Sequence, residues 1–250
     1  MKKIYLFLLI FIVIILRLHS EEFSYDELFQ QGNSLYKEGN YEEAIEKYRI
    51  IESQGIINGS LYYNIGNSYF KIGKLGYAIL FYERARKYLP RDREVLENLV
   101  FVQSFTQDNI EERKPTFLIY LLYRILIKLS FKEILILAST LFSILMVCSI
   151  FFILRRNLII IKNLTISFLV IFLISALLLF VKVNLENTKA GVILLEVVNV
   201  KSGPSEESTL EFVIHEGTKF QVLEFLNEWA KIRFQDGKAG WVTTDTFELI

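Results

Sequence analysis

Long stretches without charge divide this chain before any motif does. Lys2 and Lys3 precede an uncharged run from Ile4 to Leu16. Such a run makes about 20 Å of helix, short of the ~30 Å hydrocarbon layer of a bilayer. A basic start followed by a short apolar core is the pattern of an export signal. Arg17, Leu18, His19 and Ser20 follow, with a small residue only at the last position. Cleavage after Ser20, giving a signal peptide over 1–20, is the preferred reading; an uncleaved anchor is the competing one. Both place Glu21 onward on the outer side of a membrane.

Two later runs are long enough to span. Ile134 to Leu154 contributes 21 uncharged residues, and Asn163 to Val181 contributes 19 more between Lys162 and Lys182. The segment between them, 155–162, carries Arg155, Arg156 and Lys162 and no acid. The bias of basic residues toward the cytoplasm puts this short loop inside, so a helical hairpin would hold both flanking domains outside. The N-terminal run predicts the same orientation independently. Residues 117–130 are apolar but interrupted by Arg124 and Lys128, four apart and on one helix face. An interfacial helix is preferred there, with a third span as the alternative.

Ahead of these runs, polarity follows a helical period and the pattern itself repeats. Gly32, Leu35, Gly39, Tyr41, Ala44 and Tyr48 are answered 34 positions on by Gly66, Tyr69, Gly73, Leu75, Ala78 and Tyr82. That period belongs to stacked helical hairpins. It predicts helices near 25–38, 41–53, 60–72 and 75–88, with Gly39-Asn40 and Gly73 at the tight turns and Pro90 as a stop. Gly32, Gly66, Ala44 and Ala78 would let helices approach, while Tyr36, Tyr41, Tyr48, Phe70 and Tyr82 fill the remaining space. Arg93 to Gln103 carries Val95, Leu96, Leu99 and Val100 as an apolar stripe and would close the array, with 93–115 as capping helix and linker.

The last 60 or so residues read as short strands. Gly191 to Val200 is strand-like, Lys201 to Ser205 breaks it, and Glu216-Gly217 turns into Phe220 to Phe225. In Glu228 to Phe234, Trp229, Lys231 and Arg233 alternate with Ala230, Ile232 and Phe234. Asp236-Gly237 is a hairpin turn before Gly240-Trp241-Val242. A small closed barrel over 190–250 follows.

Charge and special residues narrow the function. The chain holds 28 basic and 28 acidic side chains, with 16 acids against 12 bases over 21–115 and 11 against 6 over 186–250. Neither soluble part has the positive field that a nucleic acid requires. Cys148 is the single cysteine and lies in an apolar run, so it reads as a lipid-facing or packing residue. His19 and His215 are the only histidines, which offers no metal cluster and no expected cofactor. No phosphate-binding glycine loop occurs. The expectation is a non-enzyme.

The spacing of Gly32, Ala44, Gly66, Ala78, Ala85 and Pro90 resembles the tetratricopeptide repeat, with two copies over 24–92. The first copy departs from it at Ile51 and Ile56. The resemblance implies a concave groove from Phe29, Asn33, Tyr36 and Lys37, then Tyr63, Asn67, Phe70 and Lys71. Asn33 and Asn67 match asparagines with which some family members hold a peptide carboxylate, but the third helix presents Glu97 and Phe101 where cations would be wanted. Bracing of neighbouring backbone is the competing role. Val200 to Ser205, Glu216-Gly217-Thr218, Trp229 to Ile232 and Gly240-Trp241-Val242 resemble bacterial SH3-like domains. Relatives there bind cell-wall peptides or proteins, or support another domain, so Trp229 and Trp241 are candidates for a ligand surface and equally for barrel core.

The order of parts resembles the BatE-type proteins of the bacterial aerotolerance (Bat) group. The expected architecture is multidomain: an all-α tetratricopeptide-repeat solenoid, a two-helix transmembrane hairpin and a small all-β SH3-like barrel. The resemblance implies a multi-pass protein of the bacterial inner membrane, with both soluble domains outside the cytoplasm. Its implied partners are von Willebrand factor A domain membrane proteins and a MoxR-type ATPase system. Peptidoglycan is the alternative partner, through the SH3-like domain.

Overall fold

The computed structural model describes residues 25–108, 126, 128–154, 159–186 and 188–250. The expected signal at 1–20, most of the expected interfacial helix at 117–130 and residues 155–158 of the expected loop lie outside the described residues.

The N-terminal region is helical: α1 over 25–38, α2 Tyr41–Ser53, α3 Gly59–Lys71, α4 Leu75–Tyr88 and α5 Arg93–Gln103. Its turns repeat the sequence period in hydrogen bonds. The Gly39 and Asn40 N–H groups donate to Tyr36 and Leu35 carbonyls, and Gly73 and Lys74 donate to Phe70 and Tyr69. Both turns are Schellman caps, and both glycines take the left-handed conformation (φ 89° and 78°) that these caps need. The junctions repeat as well. Asn58 caps α3 by accepting from the Leu61 N–H at 2.7 Å, and Asp92, 34 residues on, caps α5 by accepting from Val95 at 3.1 Å.

Within each hairpin a glycine faces a tyrosine. A Cβ on Gly32 would lie 2.5 Å from the Tyr48 ring, and one on Gly66 would lie 2.9 Å from Tyr82. Ala44, Ala78, Tyr48 and Tyr82 are all buried. Ile51, where the first copy departs from the repeat pattern, is fully buried at the position of Ala85 in the second. The larger side chain is therefore absorbed into the core, and Ile56 packs against that same core.

Among the described residues two helices, α6 Phe131–Leu154 and α7 Ile159–Glu186, are long and apolar enough to cross a membrane, the second over Ile159–Asn184. They pack on each other, and the Thr165 hydroxyl donates to the Cys148 carbonyl across the pair at 3.4 Å. Helix α7 starts four residues before the expected Asn163. Ile159 to Lys162 thus belong to the helix and not to the loop, since Ile159, Ile160 and Ile161 extend its apolar surface.

The C-terminal region is a seven-stranded antiparallel sheet in the order β3-β2-β6-β5-β4-β1-β7. Its strands are β1 Ala190–Ile193, β2 Val197–Lys201, β3 Leu210–His215, β4 Lys219–Leu226, β5 Trp229–Arg233, β6 Ala239–Thr243 and β7 Phe247–Leu249. The expected single run from Gly191 to Val200 is two strands, because Leu194 to Glu196 turn the chain between them. Strand β3 and the Thr244–Thr246 turn into β7 were not expected at all. The inner face holds Val198, Val200, Ile214, Val222, Ala230, Ile232, Phe234 and Val242. Close approach explains Gly240, where a Cβ would sit 2.3 Å from Val200.

The sheet docks on the helices. Val192 is buried in the helical core and Ile193 in the core of the sheet, so β1 serves both. Gly76 lies against the Ile193 carbonyl, where a Cβ would come within 2.5 Å. The Gly76 N–H donates to Glu216 at 2.8 Å. Arg84 donates to Glu248 at 2.8 Å and to the Leu249 carbonyl at 2.5 Å.

Candidate functional site

The repeated side chains build a groove along α1, α3 and α5. The Tyr48 hydroxyl donates to Asn33 Oδ1 at 2.8 Å, and the Tyr82 hydroxyl donates to Asn67 Oδ1 at 2.6 Å. Each acceptor also takes a bond from the next A-type helix: Asn64 Nδ2 reaches Asn33 at 2.9 Å, and Asn98 Nδ2 reaches Asn67 at 3.3 Å. Asn33 and Asn67 thus join three helices each, and their carbonyl oxygens are spent on side chains within the fold. Burial pushes the Tyr48 hydroxyl up to about 12 and raises that of Tyr82 further, so both are donors at any physiological pH.

Two adjoining cavities lie over this ladder. One of ≈ 210 Å³ is lined by Asn33, Tyr36, Lys37, Tyr48, Asn64 and Asn67. The other, of ≈ 260 Å³, is lined by Tyr36, Tyr63, Asn67, Phe70, Lys71, Tyr82, Asn98, Phe101 and Val102. Tyr36 and Asn67 belong to both. The structure therefore brings seven of the eight expected groove residues together. Phe29 is the exception: its ring stacks on Tyr25 at 5.6 Å and tilts against Tyr48 at 5.9 Å, as packing.

Sequence reasoning missed Asn64 and Asn98. Their own 34-residue spacing was the signal that would have found them. In α5, Glu97 pairs with Arg93 at 2.6 Å, and Phe101 packs edge-on against Phe70 at 5.7 Å. The groove offers aromatic faces, amides and two lysines.

The seam between helices and sheet is strongly ionic. Glu83, on α4, is buried between Lys219 at 2.9 Å and Arg86 at 2.5 Å. Burial alone would raise its carboxyl, but the two cations together outweigh that and hold it below the usual carboxylate range. Asp108 accepts from the His215 N–H at 2.7 Å and from the Thr218 hydroxyl at 2.5 Å, and pairs with His215 Nδ1 at 2.8 Å. Here too burial raises the carboxyl and the hydrogen bonds from Thr218 and His215 lower it further than burial lifts it. A third cavity, ≈ 680 Å³, opens beside the seam. Its Arg49, Glu52, Arg84 and Glu248 pair with one another.

On the sheet, register places Trp229 opposite Thr243 and Trp241 opposite Lys231. Both tryptophans therefore share the face opposite Ala230 and Ile232, outside the core cluster. Lys201 Nζ sits 5.3 Å over Trp229, and Lys231 Nζ sits 5.8 Å over Trp241. Trp241 is only 8% exposed, so Trp229 is the more accessible aromatic.

A small antiparallel β domain with this face and these turns is of the SH3-like class. Residues 196–248 match the family model of the bacterial SH3 domain. The match begins after β1, so the strand at the seam is an addition to the matched unit. A search of curated proteins found no match to the chain. Among the described residues no group of three or more His, Cys, Asp or Glu side chains stands close enough to hold a metal ion.

Proposed function

We propose that this protein is a non-enzymatic, membrane-anchored adaptor whose tetratricopeptide-type helices hold a partner protein in the groove over Asn33 and Asn67. The observation that carries this reading is the pair of adjoining cavities sharing Tyr36 and Asn67. An extended peptide segment laid across them would meet ring faces, amide groups and the Lys37 and Lys71 ammonium groups in order. Helices α6 and α7 form the two-span anchor. Direct contact between the helical and SH3-like parts fits a hairpin that keeps both on one side of the membrane, and the basic residues of 155–162 assign that side to the outside of the cytoplasm. Within this reading the assembly is an aerotolerance or envelope-stress complex, with von Willebrand factor A domain proteins and a MoxR-type ATPase system as its partners.

Affinity purification of the full-length protein against a Tyr36→Ala/Asn67→Ala variant tests the reading. Loss of specific partners with membrane insertion intact is expected. Recovery of the same partners in equal amounts overturns it.

The second reading is a wall-binding protein acting through the SH3-like domain, supported by the family match over 196–248 and by Trp229 on the outer face. Co-sedimentation of the full-length protein with purified peptidoglycan, lost in Trp229→Ala, would favour it over the adaptor.

A further inference from the structure

The outer half of β4 exposes three large apolar side chains around Glu224. Leu223, Phe225 and Leu226 are 42%, 42% and 45% exposed, and Trp229 stands across the turn from Leu226. Clustered exposed apolar side chains of this kind mark surfaces that meet a partner or a membrane.

The path of the chain says what covers them. Strand β1 runs antiparallel to β4 with Ala190 opposite Gln221, and the Val222 N–H donates to the Lys189 carbonyl at 2.7 Å. Followed backward from Ala190, Lys189 and Thr188 lie alongside β4 in the direction of Leu226. The β4–β5 tip therefore points the way the chain comes from, toward the end of α7. Lys189 Nζ lies 5.1 Å over the Phe225 ring on this path.

Lengths agree with this direction. Past Lys182, where the apolar run ends, α7 rises about 6 Å to Glu186. Three further residues reach at most about 10 Å to Lys189. From Val222 to Leu226, β4 returns about 13 Å in the opposite direction. Taken along one axis normal to the membrane, these lengths would bring the tip back to within a few ångströms of the level of Lys182, inside the interfacial layer of about 5–8 Å on each side of the hydrocarbon. A second tether lies at the start of α6, where Glu133 is bonded to Arg91 of the helical region. Both soluble parts are thus held close to the ends of the apolar helices.

We propose that the β4–β5 hairpin tip, through Leu223, Phe225, Leu226 and Trp229, seats in the lipid–water interface next to α7. The bilayer is its ligand, and Trp229 takes the headgroup-level place that tryptophan favours. This rests on the reading that α7 crosses the membrane.

The test uses full-length protein in phosphatidylcholine/phosphatidylglycerol vesicles containing lipids brominated near the headgroup. Two variants each keep one tryptophan: Trp241→Phe reports on Trp229, and Trp229→Phe reports on Trp241. Quenching of Trp229 with Trp241 unaffected is expected. A Leu223→Ser/Phe225→Ser/Leu226→Ser variant in the Trp241→Phe background should lose the quenching while resisting carbonate extraction. The same triple change in the Trp229→Phe background should leave the Trp241 emission maximum unchanged, reporting an intact barrel. Equal quenching of both tryptophans in carbonate-resistant protein overturns the proposal. So does a Trp229 shielded from aqueous iodide yet untouched by brominated lipid, which would assign the patch to a protein partner. Release of the wild-type protein by carbonate is a separate result and overturns the reading of α7 instead.

Discussion

Val192 and Ile193 are neighbours in β1, yet one is buried among the helices and the other inside the sheet. Alternation along a strand sends successive side chains to opposite faces. Here each face has its own core, so a single dipeptide joins the two halves of the protein.

Val192→Ala should loosen the seam without unfolding either half, at a cost of about 2 kcal/mol for the lost burial. Val192→Asp should separate the parts outright, because a carboxylate there would be buried unpaired. Hydrogen exchange would show it: amides of Val192, Gly217 and Thr218 should lose protection while those of β5 and β6 keep theirs.

Acid should open the same seam. The Glu83 and Asp108 carboxyls are held low in the folded protein. The stability they contribute is fully present above their unfolded values, near pH 4, and is lost as pH falls through the folded ones. Denaturant titrations from pH 7 downward should show this loss beginning only below about pH 4. Glu83→Gln should flatten the profile while lowering stability at neutral pH, since Lys219 and Arg86 would then face each other unneutralised.

The glycine–tyrosine crossings give a test inside the helices. Alanine is a better helix former than glycine by about 1 kcal/mol. Gly32→Ala should nevertheless destabilise, by about 1–3 kcal/mol, because the added methyl enters the Tyr48 ring. Thermal unfolding in a fixed detergent would report the sign.

Alkali should spare Tyr48 and Tyr82. Their hydroxyls are pushed up by burial and stay protonated while ordinary tyrosines ionise near pH 10. Stability linked to them is complete below pH 10 and declines as pH climbs toward the folded values. Ultraviolet titration should show a late class of tyrosines, reduced by one in Tyr48→Phe. The same variant should lose about 1 kcal/mol with its bond to Asn33.

Much of this fold could be read from residue order. The 34-residue period located α1, α2 and α4, because glycine, alanine and tyrosine fit the crossings only at those offsets, and the apolar stripe of Val95, Leu96, Leu99 and Val100 located α5. It did not locate the start of α3 to the residue, since Asn58 was not recognised as a cap. In the sheet, the alternation around Trp229 and the Asp236-Gly237 turn marked β5 and β6. Strand β3 was missed because Leu210, Glu211 and Val213 are exposed along an edge and carry no clean alternation. The seam was illegible for a different reason. Glu83, Asp108 and His215 look like ordinary surface residues until distant parts of the chain are brought together. Asn33 and Asn67 were open between a ligand role and a bracing one, and their carbonyl oxygens accept from Tyr48, Tyr82, Asn64 and Asn98.

The strand that joins the two cores is also the first one built after α7, only four positions beyond that helix's last residue. Three residues separate the two elements. A pull on anything seated over Asn67 would pass through α4 and Val192 into the backbone leading to α7, and through Arg91 and Glu133 to the start of α6, so the load would arrive at the bilayer on both helices.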